Sequence, residues 1–280
     1  MNDSPQRDLG AALRALRIAS GRTGDSVARS AAMSAGKLSK IENGRTLPSV
    51  RDVELILTAL GVSEQAKAEF LRTARATATE TTAWRVLRRM GPWKHQKAIK
   101  AIEDRTTELR LFQGQLIPGL LQTPEYVRAV FSVPPALPDE TRAKTVAARL
   151  ERQSVLYDPQ RSFHFLICEH VLRWRICESA VMAMQLDRLK SLSRLPNVAL
   201  GVLPLNRRMP DFPMTCFSIH DERLVLVETF HSEITTRDPR DIETYLRTFD
   251  AFSSAALYGT EMLRLVSGVR DEFLREQERS

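Results

Sequence analysis

Ser34-Ala-Gly-Lys-Leu-Ser-Lys-Ile-Glu-Asn-Gly-Arg-Thr-Leu-Pro-Ser49 decides the fold of the first 75 residues. Ser34 is a favoured N-cap, because its hydroxyl accepts from N–H groups that the first turn of a helix leaves unpaired. Asn43-Gly44 ends that helix with residues that tolerate left-handed backbone. Between these limits Leu38 and Ile41 lie three apart and face inward. At ~100° per residue the opposite face carries Gly36, Ser39 and Lys40, with Lys37 on its flank. A polar face of this kind is either ordinary solvated surface or the part of the helix that meets a partner.

Upstream, Leu9, Leu13 and Leu16 recur at helical spacing between Asp8 and Ser20, and Gly21 supplies a stop. A short helix follows from Asp25 to Ala31 with Val27 and Ala28 inward, and Ala32-Met33 forms the turn into the Ser34 helix. Downstream, Pro48-Ser49 caps a fourth helix with a stripe of Val53, Ile56, Leu57 and Leu60, and Gly61-Val62-Ser63 opens a fifth that runs to about Arg75. The expectation is an N-terminal all-α bundle of five helices over 1–75. Ala76 to Ala83 carries no apolar stripe and is expected to be a linker. An α+β domain is expected over 84–280.

The Ser34–Ser49 run, taken with the helices before it, resembles the helix-turn-helix of lambda-repressor or Cro type in the xenobiotic-response-element family. The resemblance implies sequence-specific binding to double-stranded DNA, with the Ser34–Glu42 helix in the major groove and activity as a transcriptional regulator. The DNA-facing set it implies is Ser34, Ala35, Gly36, Lys37, Ser39, Lys40, Asn43 and Arg45, with Arg45 on a phosphate. Two positions depart from the family pattern. Gly24 stands where a phosphate-gripping glutamine is common, and Ala35-Gly36 replaces longer base readers, so DNA shape and backbone contacts carry more of the readout. Glu42 is expected to form an intramolecular cap or ion pair. Because one short recognition helix buries little surface, a homodimer reading two half-sites about 34 Å apart is expected.

The charge distribution agrees with a polyanionic partner. The net charge is +7, with 12 Lys/Arg against 9 Asp/Glu in residues 1–80, 9 against 4 in 81–130, and 20 against 21 in 131–280. The segment Trp84 to Lys100 has six basic residues, Arg85, Arg88, Arg89, Lys94, Lys97 and Lys100, and no acidic one. It either extends the DNA footprint or pairs with acids elsewhere, and Trp84 and Trp93 read as core anchors.

In the second half the most distinctive run is Leu116-Ile-Pro-Gly-Leu-Leu-Gln-Thr-Pro-Glu-Tyr-Val-Arg-Ala-Val130. Thr123 caps a helix whose first position is Pro124. The run resembles the proline-glycine-leucine-leucine-glutamine-threonine motif opening an uncharacterised domain attached to actinobacterial regulators of the same family. That likeness continues through Arg149, Arg152, Gln153, Gln185 and Pro196 to Pro204. It implies a sensor or partner-binding domain of toxin–antitoxin-like gene pairs, with a small-molecule effector or a small protein partner encoded nearby. The matching charged positions Glu169, Arg173 and Glu228 are expected to line a pocket. An antitoxin-like interaction protein that sequesters a small partner, binding DNA only for autoregulation, is the alternative. Strands are expected at 163–167, 198–203, 216–219 and 224–229, helices at 141–156, 180–193 and 238–252, and the chain beyond Ala101 is read as continuing helical.

Other function classes find little support. Cys168, Cys177 and Cys216 are an odd number without a C-x-x-C pair, against a disulfide framework. His164, Cys168, His170 and Cys177 have the right atoms for zinc but not a zinc-site spacing. No phosphate-cradling glycine loop is present. The expectation is therefore no enzyme, no cofactor and no metal. Without an N-terminal apolar segment or a run long enough to span a bilayer, a cytoplasmic, nucleoid-associated protein with no membrane partner is expected.

Overall fold

Three hydroxyl caps set the helix starts of the N-terminal region. In the computed structural model, which describes residues 5–46, 48–83, 91–134, 136–229 and 232–279, five helices occupy this region: α1 (Pro5–Ala19), α2 (Gly24–Ser30), α3 (Ala35–Glu42), α4 (Val50–Ala59) and α5 (Glu64–Ala78). Thr23 accepts from Ser26 N–H, Ser34 from Lys37 N–H and Ser49 from Asp52 N–H, each meeting a donor that the first turn cannot satisfy itself. Asp52 returns a bond to Ser49 N–H and completes a capping box. The five helices stand as expected, and their core gathers Leu13, Val27, Leu38, Ile41, Val53 and Leu57, all buried.

Gly10 lets α1 cross α3 at backbone contact. A Cβ at that position would sit 2.3 Å from the Ile41 carbonyl oxygen, a distance no side chain can occupy. Gly44, at φ 64°, supplies the left-handed turn after α3, whereas Asn43 stays at φ −93°.

The segment expected to be a linker is structured. Helix α5 runs to Ala78, and Thr79–Ala83 is strand β1, with β-branched threonines suited to extended backbone. By packing, the chain divides into two compact units, Met1–Thr81 with Thr235–Ile242 and Thr82–Ile234 with Glu243–Ser280. Trp84, Arg85, Arg88 and Arg89 lie outside the described residues.

The remaining strands are β2 (Glu108–Gln113), β3 (Ser162–Cys168), β4 (Val198–Leu203), β5 (Phe217–His220), β6 (Leu224–Glu228) and β7 (Ser232–Thr236), and the sheet order is β1-β7-β6-β5-β2-β3-β4. The helices are α6 (Pro92–Glu103), α7 (Pro124–Val130), α8 (Asp139–Arg152), α9 (Glu169–Arg173), α10 (Ser179–Leu192), α11 (Pro239–Ala255) and α12 (Gly259–Gln277). This is the expected α+β arrangement. Strand β2 is an interior strand, parallel to β3 (Leu109↔Phe163) and antiparallel to β5 (Leu109↔His220), so the sheet is mixed.

The helical reading beyond Ala101 is corrected at β2. The helix stops because Thr106 Oγ1 donates back to the Ile102 carbonyl, and because the Asp221 carboxylate accepts from the N–H groups of Thr107 and Glu108 at 2.8 Å each. Asp221 belongs to the β5–β6 hairpin turn, where Asp221 and Glu222 both hold positive φ, as a two-residue turn of that hand requires. Strand β7 and helix α12 are further elements absent from the expectation. Among the described residues no helix is long and apolar enough to cross a membrane.

Gly10→Ala will force α1 and α3 apart. Overpacking of this kind costs about 1–3 kcal/mol, and calorimetry of the full chain will show a lowered transition for the N-terminal unit with the second unit's transition unmoved.

Candidate functional site

Helices α2 and α3 meet across the Ala31–Ser34 turn, where Ala32 takes φ 51°. Leu38 and Ile41 anchor α3 from below, and Ser34, Ala35, Gly36, Ser39, Lys40 and Arg45 are exposed on and beside its outer face. The mount is stiff. Glu42, buried at the end of α3, accepts two hydrogen bonds from the Arg17 guanidinium of α1 at 2.6 and 2.8 Å, and Arg17 also donates to the Arg22 carbonyl. The Glu42 hydrogen bonds outweigh Arg17's partial burial and hold its pKa above the ordinary value. The expectation of an intramolecular role for Glu42 describes this pair.

Three of the expected DNA-facing side chains, Lys37, Asn43 and Ser34, have partners inside the unit. Lys37 Nζ lies 2.6 Å from Asp52 Oδ1, tying the flank of α3 to the capping box of α4. Asn43 Nδ2 donates to the Ser39 carbonyl at 2.8 Å and so caps the end of α3. Ser34 Oγ is engaged by Lys37 N–H. The outer surface left to meet a partner is Ala35, Gly36, Ser39, Lys40 and Arg45, a short-side-chain floor with cations at its edge. At Gly36 and Gly24 a Cβ would meet nothing within 4 Å, so both positions open onto free space.

In the second unit, the Pro118–Thr123 run is held by glutamine side chains. Gln153 Nε2 donates to the carbonyls of Gly119 (3.1 Å) and Gln122 (2.8 Å). Gln185 accepts from Thr123 N–H at 2.7 Å and donates to the Leu121 carbonyl at 2.8 Å. Gln122 Nε2 donates to the Ile117 carbonyl, and its Oε1 accepts from Arg149 at 3.2 Å. Arg152 makes a buried two-point pair with Glu103 (2.9 and 2.6 Å) and shares Gln96 Oε1 with Arg149. Of the positions quoted for the second resemblance, Arg149, Gln153 and Gln185 thus converge on one loop, while Arg152 pairs with Glu103 and Gln96 and Pro196 to Pro204 carries strand β4.

That loop borders a cavity of about 130 Å³ whose walls include Leu109, Phe112, Phe217 and Leu226 and whose polar lining includes Gln113, Arg149, Arg152, His220, Glu228 and Glu233. Desolvation, followed by the charge of Arg152, lowers the Arg149 guanidinium to about 10, and Glu228 and Glu103 offset only part of that. Burial lowers His220 to about 4, and its ring nitrogens each lie 3.0 Å from a hydroxyl, of Thr106 and Ser218. Burial and then the Glu228 charge raise Glu233 to about 7. Burial, Arg152 and Arg149 lower His95 to about 4.

Of Glu169, Arg173 and Glu228, expected to line one pocket, Glu228 lines this cavity. Glu169 instead accepts from Leu205 N–H at 3.0 Å, and Arg173 pairs with Glu272 of α12. His164, Cys168, His170 and Cys177 do not assemble: His164 Nε2 is 2.8 Å from Tyr258 Oη, and His170 Nε2 is 2.6 Å from the Gly114 carbonyl. The sequence reading missed His95 and Glu233, which come together from segments more than 130 residues apart. In the described part of the basic run, Lys100 is paired to Asp104 at 2.9 Å and Lys94 and Lys97 lie over the Trp93 ring at 5.5 and 5.2 Å.

Residues 8–71 match the family described as "Helix-turn-helix domain", and residues 96–268 match "Domain of unknown function (DUF5753)". No curated protein matches the chain. Among solved structures, the chain is similar to the clp gene regulator ClgR from C. glutamicum, at 33% identity over 27% of this chain and 95% of that one, with a TM-score of 0.23. It is similar to TrmBL2, an archaeal chromatin protein, at 11% identity over 70% of this chain and 62% of that one, with a TM-score of 0.34. It is similar to Nuc, a phospholipase D family member from Salmonella typhimurium, at 12% identity over 65% of this chain and 98% of that one, with a TM-score of 0.35. A helix-turn-helix is a DNA-binding unit that lays its second helix in the major groove.

Asp52→Ala will release Lys37 and leave Ser49 N–H without its capping-box acceptor, at about 1 kcal/mol. Desolvation opposes ionisation of Asp52, but its bonds from Lys37 and Ser49 win and lower its pKa. Its contribution is therefore present at neutral pH and lost as the pH falls through the lowered pKa. Denaturation at neutral and acid pH will show the wild-type advantage over Asp52→Ala shrinking on acidification.

Proposed function

We propose that this chain, which belongs to the family of the domain of unknown function DUF5753 and carries a helix-turn-helix domain before it, is a sequence-specific transcriptional regulator that inserts α3 into the major groove of double-stranded DNA. The observation that carries the reading is the exposed outer face of α3, mounted on the Arg17–Glu42 pair and edged by Lys40 and Arg45. Lys40 is placed to reach a guanine edge or a phosphate and Arg45 a phosphate, while Ala35 and Gly36 permit close approach of helix and groove. Lys37 serves the fold first, through Asp52. Two copies are needed for adequate contact, so the regulator works as a homodimer on paired half-sites.

The second unit modulates DNA affinity through an effector or a small protein partner. Supporting this is the cavity beside the Pro118–Thr123 loop, where the Arg149 guanidinium and the buried Gln113 Oε1, which has no hydrogen-bond partner among the described residues, both offer recognition to a small polar molecule. The unit is a binding domain rather than an enzyme. Burial raises the Cys168, Cys177 and Cys216 thiols to about 11, which keeps them protonated and poorly nucleophilic at neutral pH.

The test is binding to the DNA just upstream of the chain's own gene over a salt series, with scrambled DNA as control. Lys40→Ala will weaken the specific complex by about 10-fold, in the range expected for one base or phosphate contact. Lys37→Ala will change it by less, because that ammonium is already paired. Equal binding of wild type and Lys40→Ala to both DNAs refutes the α3 assignment. A stoichiometric small protein that co-purifies and abolishes DNA binding supports the antitoxin-like alternative instead.

A further inference from the structure

We propose that His95, Glu228 and Glu233 bind one divalent transition-metal ion at the edge of the cavity in the second unit. The three residues come from different elements, α6, the end of β6 and β7, and each brings a ligand atom to the same small region. Those atoms all lie within 4.8 Å of one another. His95 Nε2 and Glu233 Oε2 are 3.4 Å apart. Two ligands at about 2.1 Å from an ion in tetrahedral geometry stand about 3.4 Å apart, so this edge already has the required span. Glu228 is exposed, and its flexible side chain needs a shift of about 1 Å to complete the triangle at the spacing of such a site.

The donor set chooses the class of ion. An imidazole nitrogen with two carboxylates suits Zn²⁺ or Mn²⁺, whereas Ca²⁺ and Mg²⁺ prefer all-oxygen surroundings and more ligands. Charge allows it as well. Arg152 is paired at two points with Glu103, and although its charge and that of Arg149 both reach His95, they act with burial to keep that imidazole neutral and able to ligate, with the Glu228 and Glu233 carboxyls on the same side to meet a cation. Both carboxylates line the cavity. An ion held by three protein ligands therefore keeps a coordination position open to a small molecule entering it, the arrangement of a site that binds or senses rather than merely staples.

The site needs no DNA for its test, so its outcome stands apart from the helix-turn-helix reading. Full-length protein stripped with chelator is titrated with Zn²⁺ by calorimetry, and separately with Co²⁺ by absorption, with Mg²⁺ as control. One ion per chain is expected, with Zn²⁺ favoured at least 10-fold over Mg²⁺ and no thiolate-to-cobalt charge-transfer band. Glu228→Gln, Glu233→Gln and His95→Gln will each weaken Zn²⁺ at least 10-fold. If the buried His95 or half-buried Glu233 variant fails to fold, exposed Glu228→Gln decides the matter. Absence of stoichiometric binding, binding unaffected by Glu228→Gln, or a charge-transfer band overturns the proposal.

Discussion

Backbone polar groups taken out of water must find partners within the chain, and this constraint shapes both units. In the second unit the Pro118–Thr123 run makes a single short turn, Leu121 N–H donating to the Pro118 carbonyl, which leaves the carbonyls of Gly119, Leu121 and Gln122 to find partners elsewhere although Leu120, Leu121 and Gln122 are almost wholly buried. Gln153, just past the end of α8, and Gln185 of α10 reach in to meet those carbonyls and the Thr123 N–H. Once they do, the positions of α8 and α10 relative to the loop are fixed, and Arg149 and Arg152 on α8 are delivered to the cavity. Leaving one such group unmet costs about 1–3 kcal/mol, more than a typical formed hydrogen bond returns. The glutamines are therefore structural determinants of the cavity rather than ornaments on its wall.

The same constraint acts at the helix starts of the first unit, where Thr23, Ser34 and Ser49 supply the acceptors. There it is joined by charge. The Arg17–Glu42 pair is partly buried at both ends, so its attraction is less screened than that of a surface pair, and it locks the end of α3 to α1. A helix that reads DNA must not rock on its mount. The Gly10 crossing and this ion pair provide two independent fixings, one steric and one electrostatic. Lys37 shows the cost of judging a basic residue by its helix face alone, since its ammonium reaches across to Asp52 of α4.

Several ionisable groups line the cavity, with His95 beside Glu228 and Glu233 at its edge, and their environments push them in different directions. Burial keeps His95 and His220 neutral, makes Glu233 hard to ionise, and weakens the hold of Arg149 on its proton. Such divergence arises where desolvation is strong and charges are close, a condition found at binding sites and in structural networks alike. Here the Arg152–Glu103 pair is the structural part. Arg149, Glu228 and Glu233 face the open volume.

Much of this was legible in the sequence wherever the signal is local. Caps, stripes and stops within a few residues define the five N-terminal helices, and short apolar runs locate β3, β4, β5 and β6. The stripe Met262, Val266, Val269 and Phe273 of α12 is equally local, although the sequence reading stopped at Phe252. Strand β2 was lost because Asp221, more than a hundred residues away, decides where the helix before it ends. Strand β1 was read as a linker because its five residues carry too little pattern to reveal a sheet neighbour. Lys37, Glu169 and Arg173 have the chemistry the sequence promised, but their partners Asp52, Leu205 N–H and Glu272 are chosen by packing, whereas Asn43 turns back on the Ser39 carbonyl of its own helix. The sequence by itself determined the helix-turn-helix and the side chains on its outer face, because periodicity and capping act over single turns. Only the tertiary structure decided which charges are spent inside the fold and which, as with His95, Glu228 and Glu233, converge from distant strands and helices, because proximity in space is set by how whole elements pack.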